Sequence, residues 1–117
     1  LARNMLTFVS YAAACEAMEL AEAAGLDLQL LGRVVRHTDA LTGGPGAIMV
    51  RDTTAPLQPD NFLYQPFTHT RGLGEKDLSL ALGLGEANGV ELPLAQEALR
   101  RLAIGLGVPH DGSTTKE

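Results

Sequence analysis

The stretch Gly72-Leu73-Gly74-Glu75-Lys76-Asp77-Leu78 opens the part of the chain that is richest in leucine. Apolar residues continue at positions 80, 81, 82 and 84, which is too dense for the alternation of a strand and typical of a mostly buried helix. We therefore predict a glycine-hinged loop over 72–74 and a helix over Glu75–Asn88. Lys76 would lie at the start of this helix, where its ammonium can reach a ligand, and Asp77 would cap it. In the alternative interpretation, Lys76 is an ordinary solvated lysine.

Five or six helices and no strand are predicted along the chain. The segments are Ala2–Ala24, Leu28–His37, a short turn at Ala47–Val50, a short piece near Asn61–Tyr64 within an otherwise irregular region 51–71, Glu75–Asn88 and Pro93–Leu106. Gly25 suits the left-handed position that ends the first helix, Asp27 can cap the second, and Pro93 suits the first turn of the last. Gly83 and Gly85 weaken the helix that contains them but permit a close helix crossing.

The first predicted helix is apolar on nearly all of its sides, beginning with Met5, Phe8 and Val9. A helix that is apolar all round is typically buried. We therefore predict that this helix is central in the domain. Cys15, the single cysteine, lies within it and is predicted to be a small core residue.

Composition places the chain among soluble helical domains. Its 117 residues are 45% hydrophobic but only 4% aromatic, without tryptophan, which favours close helix packing over a β-sandwich. A net charge of −5 gives no basic surface for nucleic acid. No apolar run approaches the length of a membrane span, and no signal peptide is visible, so a cytoplasmic location is expected.

Motifs for several enzyme classes do not occur. The three histidines, His37, His69 and His110, lack metal-ligand spacing and are predicted to be surface residues rather than a metal site. There is no Gly-x-Ser-x-Gly, no P-loop, and no Gly-x-Gly-x-x-Gly in a strand–turn–helix context. Hydrolase, zinc-enzyme and nucleotide-triphosphatase functions are therefore not indicated.

Three polar residues of the first helix lie on one stripe, because Asn4, Thr7 and Tyr11 are spaced three and four apart. A carboxamide at the start of a buried helix needs a hydrogen-bond partner. For Asn4 that partner is either a neighbouring backbone group or an oxygen of a substrate.

A series of short motifs runs through nearly all of the chain in a fixed order. It consists of Asn4, an Ala/Glu-rich segment that ends in Gly25-Leu26-Asp27, Phe67, Lys76-Asp77-Leu78, Gly89 with Pro93, and Asp111 with Ser113. This series resembles the C-terminal helical domain of the β-hydroxyacid dehydrogenases, the family of 3-hydroxyisobutyrate dehydrogenase and tartronate semialdehyde reductase. The resemblance implies an all-α, compact multi-helix domain of the 6-phosphogluconate dehydrogenase C-terminal type, with a long central first helix.

The resemblance also implies a function. Residues 1–117 would be the C-terminal domain of an oxidoreductase that uses NAD or NADP on a small 3-hydroxy acid or its semialdehyde. Lys76 would reach the cofactor, with Phe67 as a second residue on the cofactor side. Asn4 would orient the substrate and the catalytic lysine, which would fall one position before Leu1. The partners implied are an N-terminal dinucleotide-binding domain, absent from this chain, and a second copy of the chain in a homodimer or larger assembly.

Some positions depart from the family pattern. Arg3 stands where the family often has a second asparagine, and the spacing from Phe67 to Lys76 is one residue longer than usual. Because the catalytic lysine and the cofactor domain are missing, the chain alone is predicted to be inactive. Two alternatives stay open: a non-catalytic helical dimerisation or interaction module, which the apolar first helix favours, and an imine reductase relative, although that group commonly lacks the lysine found at Lys76.

Overall fold

The computed structural model describes residues 1–111, which form four α-helices and one 3₁₀ helix with no strand among them. The elements are α1 (Ala2–Ala23), α2 (Leu28–Thr42), the 3₁₀ helix (Gly44–Ile48), α3 (Tyr64–Ala87) and α4 (Pro93–Leu106). The all-α prediction is confirmed. Ser113 of the last motif, with the rest of the polar tail, lies outside the described residues.

Local sequence signals set the junction between α1 and α2. Gly25 has a φ of +85°, and the amide of Leu26 donates to the carbonyl of Ala21 at 2.9 Å, so α1 ends in the left-handed turn that was predicted. The Asp27 carboxylate then accepts from the amide of Gln29 at 2.8 Å and caps α2, also as predicted. The predicted end of α2 at His37 was wrong, since the helix continues to Thr42. Between His37 and Thr42 the helix contains no glycine or proline, and Gly43, with a φ of +88°, ends it.

Helix α3 is much longer than predicted. It begins at Tyr64, about three turns before Glu75, and runs without a break through Gly72 and Gly74. The predicted glycine-hinged loop was therefore wrong, as was the helix-capping role of Asp77. Gly74 serves helix packing instead, because a Cβ atom there would lie 2.4 Å from Leu102 Cδ2 of α4.

A second glycine of α3, Gly85, lies in close contact with the segment that leads into α4. A Cβ atom on Gly85 would lie 2.9 Å from both Leu92 Cδ1 and the carbonyl oxygen of Val90. The same atom on Gly83 would meet nothing within 4 Å. The predicted close approach is thus found at Gly85 and not at Gly83.

A carboxylate of α1 caps the N-terminus of α4. Glu16 Oε2 accepts from the amide of Leu94 at 2.6 Å, and Oε1 accepts from the amide of Ala95 at 3.2 Å. These amides are among the first of α4 and lack partners within their own helix. Glu16 therefore joins α1 to the α3–α4 pair.

The core lies between α3, α4 and the irregular segment 49–63. Phe67, Leu106 and Val108 form its buried centre, with Leu57, Leu63, Tyr64 and Leu102 packed around them. The guanidinium of Arg51 donates to the carbonyl of Gly105 at 2.8 Å and lies 5.6 Å from the centroid of the Phe67 ring. Arg51 thus fixes the irregular segment to the C-terminal end of α4.

Helix α1 is far more exposed than predicted. Ala21 is its one buried residue, whereas Phe8 and Tyr11 are 64% and 61% exposed. The predicted burial of α1 was wrong for this chain, and so was the placement of Cys15 in a core, since Cys15 is exposed. The chain supplies too few neighbouring elements to cover the helix. Neither α1 nor any other helix of residues 1–111 is long and apolar enough to cross a lipid bilayer.

The chain exposes more surface than a self-contained domain of its size. Its accessible area is 8630 Å², about 2,500 Å² more than the roughly 6,100 Å² expected for a folded monomer of 12.3 kDa. Its radius of gyration is 15.5 Å, against about 13.4 Å expected for 117 residues. Nine large apolar side chains of α1 and α2 are exposed. These faces are suited to packing against further protein.

Candidate functional site

Lys76 lies on the exposed face of α3, in the middle of the helix. Its side chain is 63% exposed, and its Nζ atom is 3.8 Å from Asp77 Oδ1, which is also exposed. An exposed ion pair of this length contributes little to stability and leaves the ammonium with hydrogen-bond donors to spare. Lys76 is therefore available to a negatively charged or carbonyl-bearing ligand, although it is not at a helix start.

A charged cluster of four residues lies directly beside Lys76; we call Arg71, Glu75, His110 and Asp111 the strap cluster. Glu75 Oε2 is 2.7 Å from His110 Nδ1, and Glu75 Oε1 accepts from the backbone amide of Asp111 at 3.0 Å. Arg71 Nη1 lies 3.6 Å from Glu75 Oε1 and 3.5 Å from Asp111 Oδ1. The cluster holds the segment that follows α4 against the middle of α3.

Burial makes the strap cluster different from the surface ion pairs of the chain. The side chains of Arg71 and Glu75 are only 10% and 12% exposed. Burial by itself raises the pKa of Glu75, but the hydrogen bonds from His110 and from the Asp111 amide, with the charges of His110 and Arg71, bring it below its ordinary value. The carboxylate form is therefore the one that this environment favours.

Phe67 belongs to the core. Its ring is 6% exposed and packs with Leu106 and Val108 below the guanidinium of Arg51. A ring so enclosed offers no open face to a cofactor in this chain. The contacts assign Phe67 a packing role, and its place on the cofactor side stays a prediction that they do not favour.

Asn4 lies in the first turn of α1 and is exposed. The polar stripe predicted around it is divided, because the guanidinium of Arg3 donates to Thr7 Oγ1, which in turn donates to the carbonyl of Arg3 at 3.2 Å. Asn4 is thus left facing outward from the helix start. It is placed to contact a group that approaches from the N-terminal end of α1.

A half-open, mainly apolar cleft of about 880 Å³ lies between the first three turns of α1 and the 3₁₀ helix. Arg3, Thr7 and Tyr11 are among its lining residues, together with Ile48 and Met49. Asn4 is not among them. The cleft is therefore formed by the other members of the polar stripe and by apolar residues of the 3₁₀ helix.

The predicted site residues do not form one constellation within this chain. No hydrogen bond or ion pair within residues 1–111 joins Asn4, Phe67 or Lys76 to one another. Sequence reasoning also missed the strap cluster, for which the only local signal is the i, i+4 spacing of Arg71 and Glu75. Residues 1–111 hold no group of three or more His, Cys, Asp or Glu side chains arranged to bind a metal ion.

Comparison with known proteins places this geometry in a family. The family model described as "NAD-binding of NADP-dependent 3-hydroxyisobutyrate dehydrogenase" matches residues 1–113. An uncharacterized oxidoreductase of Mycobacterium tuberculosis is 70% identical over 118 residues, which is 100% of this chain and 40% of the relative. A crystal structure of a protein named as an inferred oxidoreductase, from Mycobacterium avium 104, is 83% identical with a TM-score of 0.92, over 94% of this chain and 40% of that one. The chain thus spans about two fifths of the length of these relatives.

Proposed function

The chain belongs to the NAD-binding family of NADP-dependent 3-hydroxyisobutyrate dehydrogenase, and from this membership we propose that it is the helical part of a nicotinamide-dependent oxidoreductase. The substrate would be a small 3-hydroxy acid or its semialdehyde. In the full-length protein the chain would be the C-terminal domain, and the part of the relatives that it does not span leaves room for a dinucleotide-binding domain. The active site would lie in the cleft between the two domains.

The observation that carries this proposal is the exposed ammonium of Lys76 on a helix that is fixed by the core and by the strap cluster. When bound, a nicotinamide cofactor supplies or accepts the hydride. Lys76 would hold the cofactor by donating hydrogen bonds and by opposing its negative charge. Its side chain fits this role because its one ion-pair partner within residues 1–111 is the exposed Asp77.

Asn4 would contribute on the substrate side. Its carboxamide can donate to a carboxylate or carbonyl oxygen of the substrate and accept from a neighbouring ammonium. The lysine that delivers the proton would precede Leu1 in the full-length protein. Asn4, at the start of α1, would be one helical turn from that lysine, so both side chains could point into the same cleft.

Turnover by the full-length protein tests this proposal. We expect reduction of NAD or NADP when the protein is supplied with short 3-hydroxy acids, and no reduction with 2-hydroxy acids of the same length. Each acid should be assayed with both cofactors, and a variant without the lysine before Leu1 serves as the negative control. Absence of turnover with every 3-hydroxy acid, from a protein that binds either cofactor, would contradict the proposed substrate class.

We further propose that the chain associates with a second copy of itself. The carrying observation is the exposed apolar surface of α1, which exceeds what single scattered apolar residues on a monomer would give. An association surface and a catalytic role are compatible, because the exposed α1 face and Lys76 on α3 belong to different helices.

A further inference from the structure

The turn of α3 that precedes Lys76 is intrinsically weak. Gly72 and Gly74 both lie in the helix interior, where glycine loses more backbone freedom than any other residue. Gly74 is needed there for the contact with Leu102, whereas a Cβ atom on Gly72 would meet nothing within 4 Å. The residue proposed to hold the cofactor therefore follows one of the two Gly-Leu-Gly stretches that lower the helix propensity of α3.

The strap cluster spans this weak turn. Arg71 immediately precedes the two glycines and Glu75 immediately follows them, so their i, i+4 pair bridges the turn along the helix. The second bridge comes from outside the helix, because His110 and the amide of Asp111 both bind the Glu75 carboxylate. Asp111 Oδ1 also lies 3.5 Å from Arg71 Nη1. Both ends of the weak turn are thus tied to the segment after α4.

The contacts of the cluster are strengthened on the side of α3, where its two helix residues are shielded from water. Arg71 and Glu75 are nearly buried, and electrostatic interactions are stronger where water is excluded. A buried carboxylate without partners is costly, so Glu75 also depends on the strap to stay charged in this position. Helix and strap therefore stabilise each other.

We infer that the segment Pro109–Asp111 straps the glycine-weakened turn of α3 through Glu75 and Arg71, and thereby positions the ammonium of Lys76. His110 and Glu75 are positioning residues that act through the backbone of α3 and do not touch a ligand. The part of this inference that concerns Lys76 rests on its proposed role toward the cofactor. The part that concerns the helix stands on the contacts alone.

Amide hydrogen exchange on the full-length protein tests the strap directly. In Glu75→Gln, exchange of the amides from 73 to 77 should be at least about tenfold faster, while α2 should be unaffected. Glu86→Gln is the matched control, since Glu86 is an exposed carboxylate on the same helix. His110→Ala should act in the same direction, with His69→Ala, an exposed histidine of α3, as its control.

A second substitution that strengthens the weak turn distinguishes a local effect of Glu75 on this turn from a general loss of stability. Gly72→Ala fits in open space and strengthens the helix, so the double variant Gly72→Ala/Glu75→Gln should return exchange at 73–77 to within about twofold of the parent. The double variant also provides a folded protein if Glu75→Gln alone does not fold. Failure of the double variant to slow the exchange would overturn the inference.

Kinetics complete the test. Glu75→Gln should raise KM for the cofactor about tenfold with little change in kcat, and should add nothing further in a Lys76→Ala background. Unchanged exchange in Glu75→Gln would overturn the strap. Faster exchange with an unchanged KM, in a protein whose KM is raised by Lys76→Ala, would overturn the positioning of Lys76. Faster exchange in a protein whose KM is unaffected by Lys76→Ala would support the strap and contradict the proposed function of Lys76 instead.

Discussion

At the scale of single residues, Glu75 and Lys76 show how one helix serves two purposes. Consecutive residues of an α-helix point about 100° apart. As a result Glu75 is 12% exposed and bound by the strap, whereas Lys76 is 63% exposed. The buried member of the pair belongs to the fold, and its neighbour is available to a ligand.

Replacement of Lys76 by alanine should weaken cofactor binding without weakening the fold. We expect a loss of about 2 kcal/mol in cofactor binding or catalysis, because a charged hydrogen-bond donor is removed. The free energy of unfolding should change by less than about 0.5 kcal/mol, since the side chain is exposed. Calorimetric titration with NAD and NADP measures the first effect, and Arg33→Ala, an exposed cation on α2, is the control. Kinetics equal to those of the parent would remove Lys76 from the site.

The lowered pKa of Glu75 predicts a pH-dependent contribution to stability. The groups that face its carboxylate are the guanidinium of Arg71, the imidazole of His110 and the backbone amide of Asp111, whose own carboxylate pairs with Arg71. Because the pKa is lower in the folded state, the stabilisation is fully present above the ordinary value of 4.5 and is lost as the pH falls through the folded pKa. Urea unfolding of the full-length protein between about pH 3 and pH 6 should therefore show a smaller acid-dependent loss in Glu75→Gln than in the parent. Equal pH dependence in the two proteins would contradict this assignment.

At the scale of helices, three ends that carry a local signal were predicted from the sequence, whereas the start of α3 was not. Gly25, Asp27 and Pro93 act through the backbone around them, so the sequence alone indicates their roles. From its neighbours in sequence, Gly74 is predicted to break a helix. In the structure it leaves space for the side chain of Leu102 of α4, a residue 28 positions away. The same limit applies to the site: the exposure of Lys76 follows from its own chemistry, whereas the bond from His110 to Glu75 joins residues that only the fold brings together.

The cap that Glu16 provides for α4 should be measurable. Glu16→Ala removes the acceptor for the amides of Leu94 and Ala95 and should cost about 1 kcal/mol, the typical effect of losing an N-cap side chain. Exchange of these two amides should become faster, because they lose their acceptor. Glu19→Ala, an exposed carboxylate of α1, should leave them unchanged. Equal protection in both variants would show that the cap is not formed in solution.

The two glycines near the end of α3 should respond in opposite ways to alanine. Gly85→Ala places a methyl group 2.9 Å from the Val90 carbonyl and should destabilise the protein by about 1–3 kcal/mol, as overpacking does. Gly83→Ala meets open space and should be neutral or stabilising by up to about 1 kcal/mol, because it raises helix propensity. Thermal unfolding of both variants measures the difference. A midpoint for Gly85→Ala at or above that of Gly83→Ala would contradict the close α3–α4 contact.

At the scale of the whole molecule, the chain exposes more surface than a self-contained domain of its size. An excess of about 2,500 Å² is more than the roughly 800 Å² that one partner contributes to a standard interface. It is large enough for the two partners proposed above, an upstream domain and a second copy. The apolar pattern around α1 predicts such surface, because one small layer cannot cover it, and its burial by a partner stays a prediction. The pattern could not indicate how much of α1 would be exposed in this chain.

Self-association should depend on the apolar face of α1. We expect sedimentation of the chain at micromolar concentration to give a dimer or larger species, and Phe8→Asp, at an exposed aromatic of α1, to shift it toward the 12.3 kDa monomer. Phe62→Asp is the control, since Phe62 is equally apolar and 82% exposed but lies in the irregular segment. A monomer in the parent chain, or equal effects of the two variants, would contradict association through α1.

The cap that Glu16 provides also fixes the direction of α1 relative to α4. Asn4 lies twelve residues before Glu16, about 18 Å along the helix axis. A rotation of α1 by about 10° at its contact with α4 would move Asn4 by about 3 Å, the length of a hydrogen bond. If an upstream domain packs against the start of α1, as proposed above, the angle between α1 and α4 would set the width of the cleft between the two domains. Residues at the contact between α1 and α4 would then affect substrate alignment without touching the substrate.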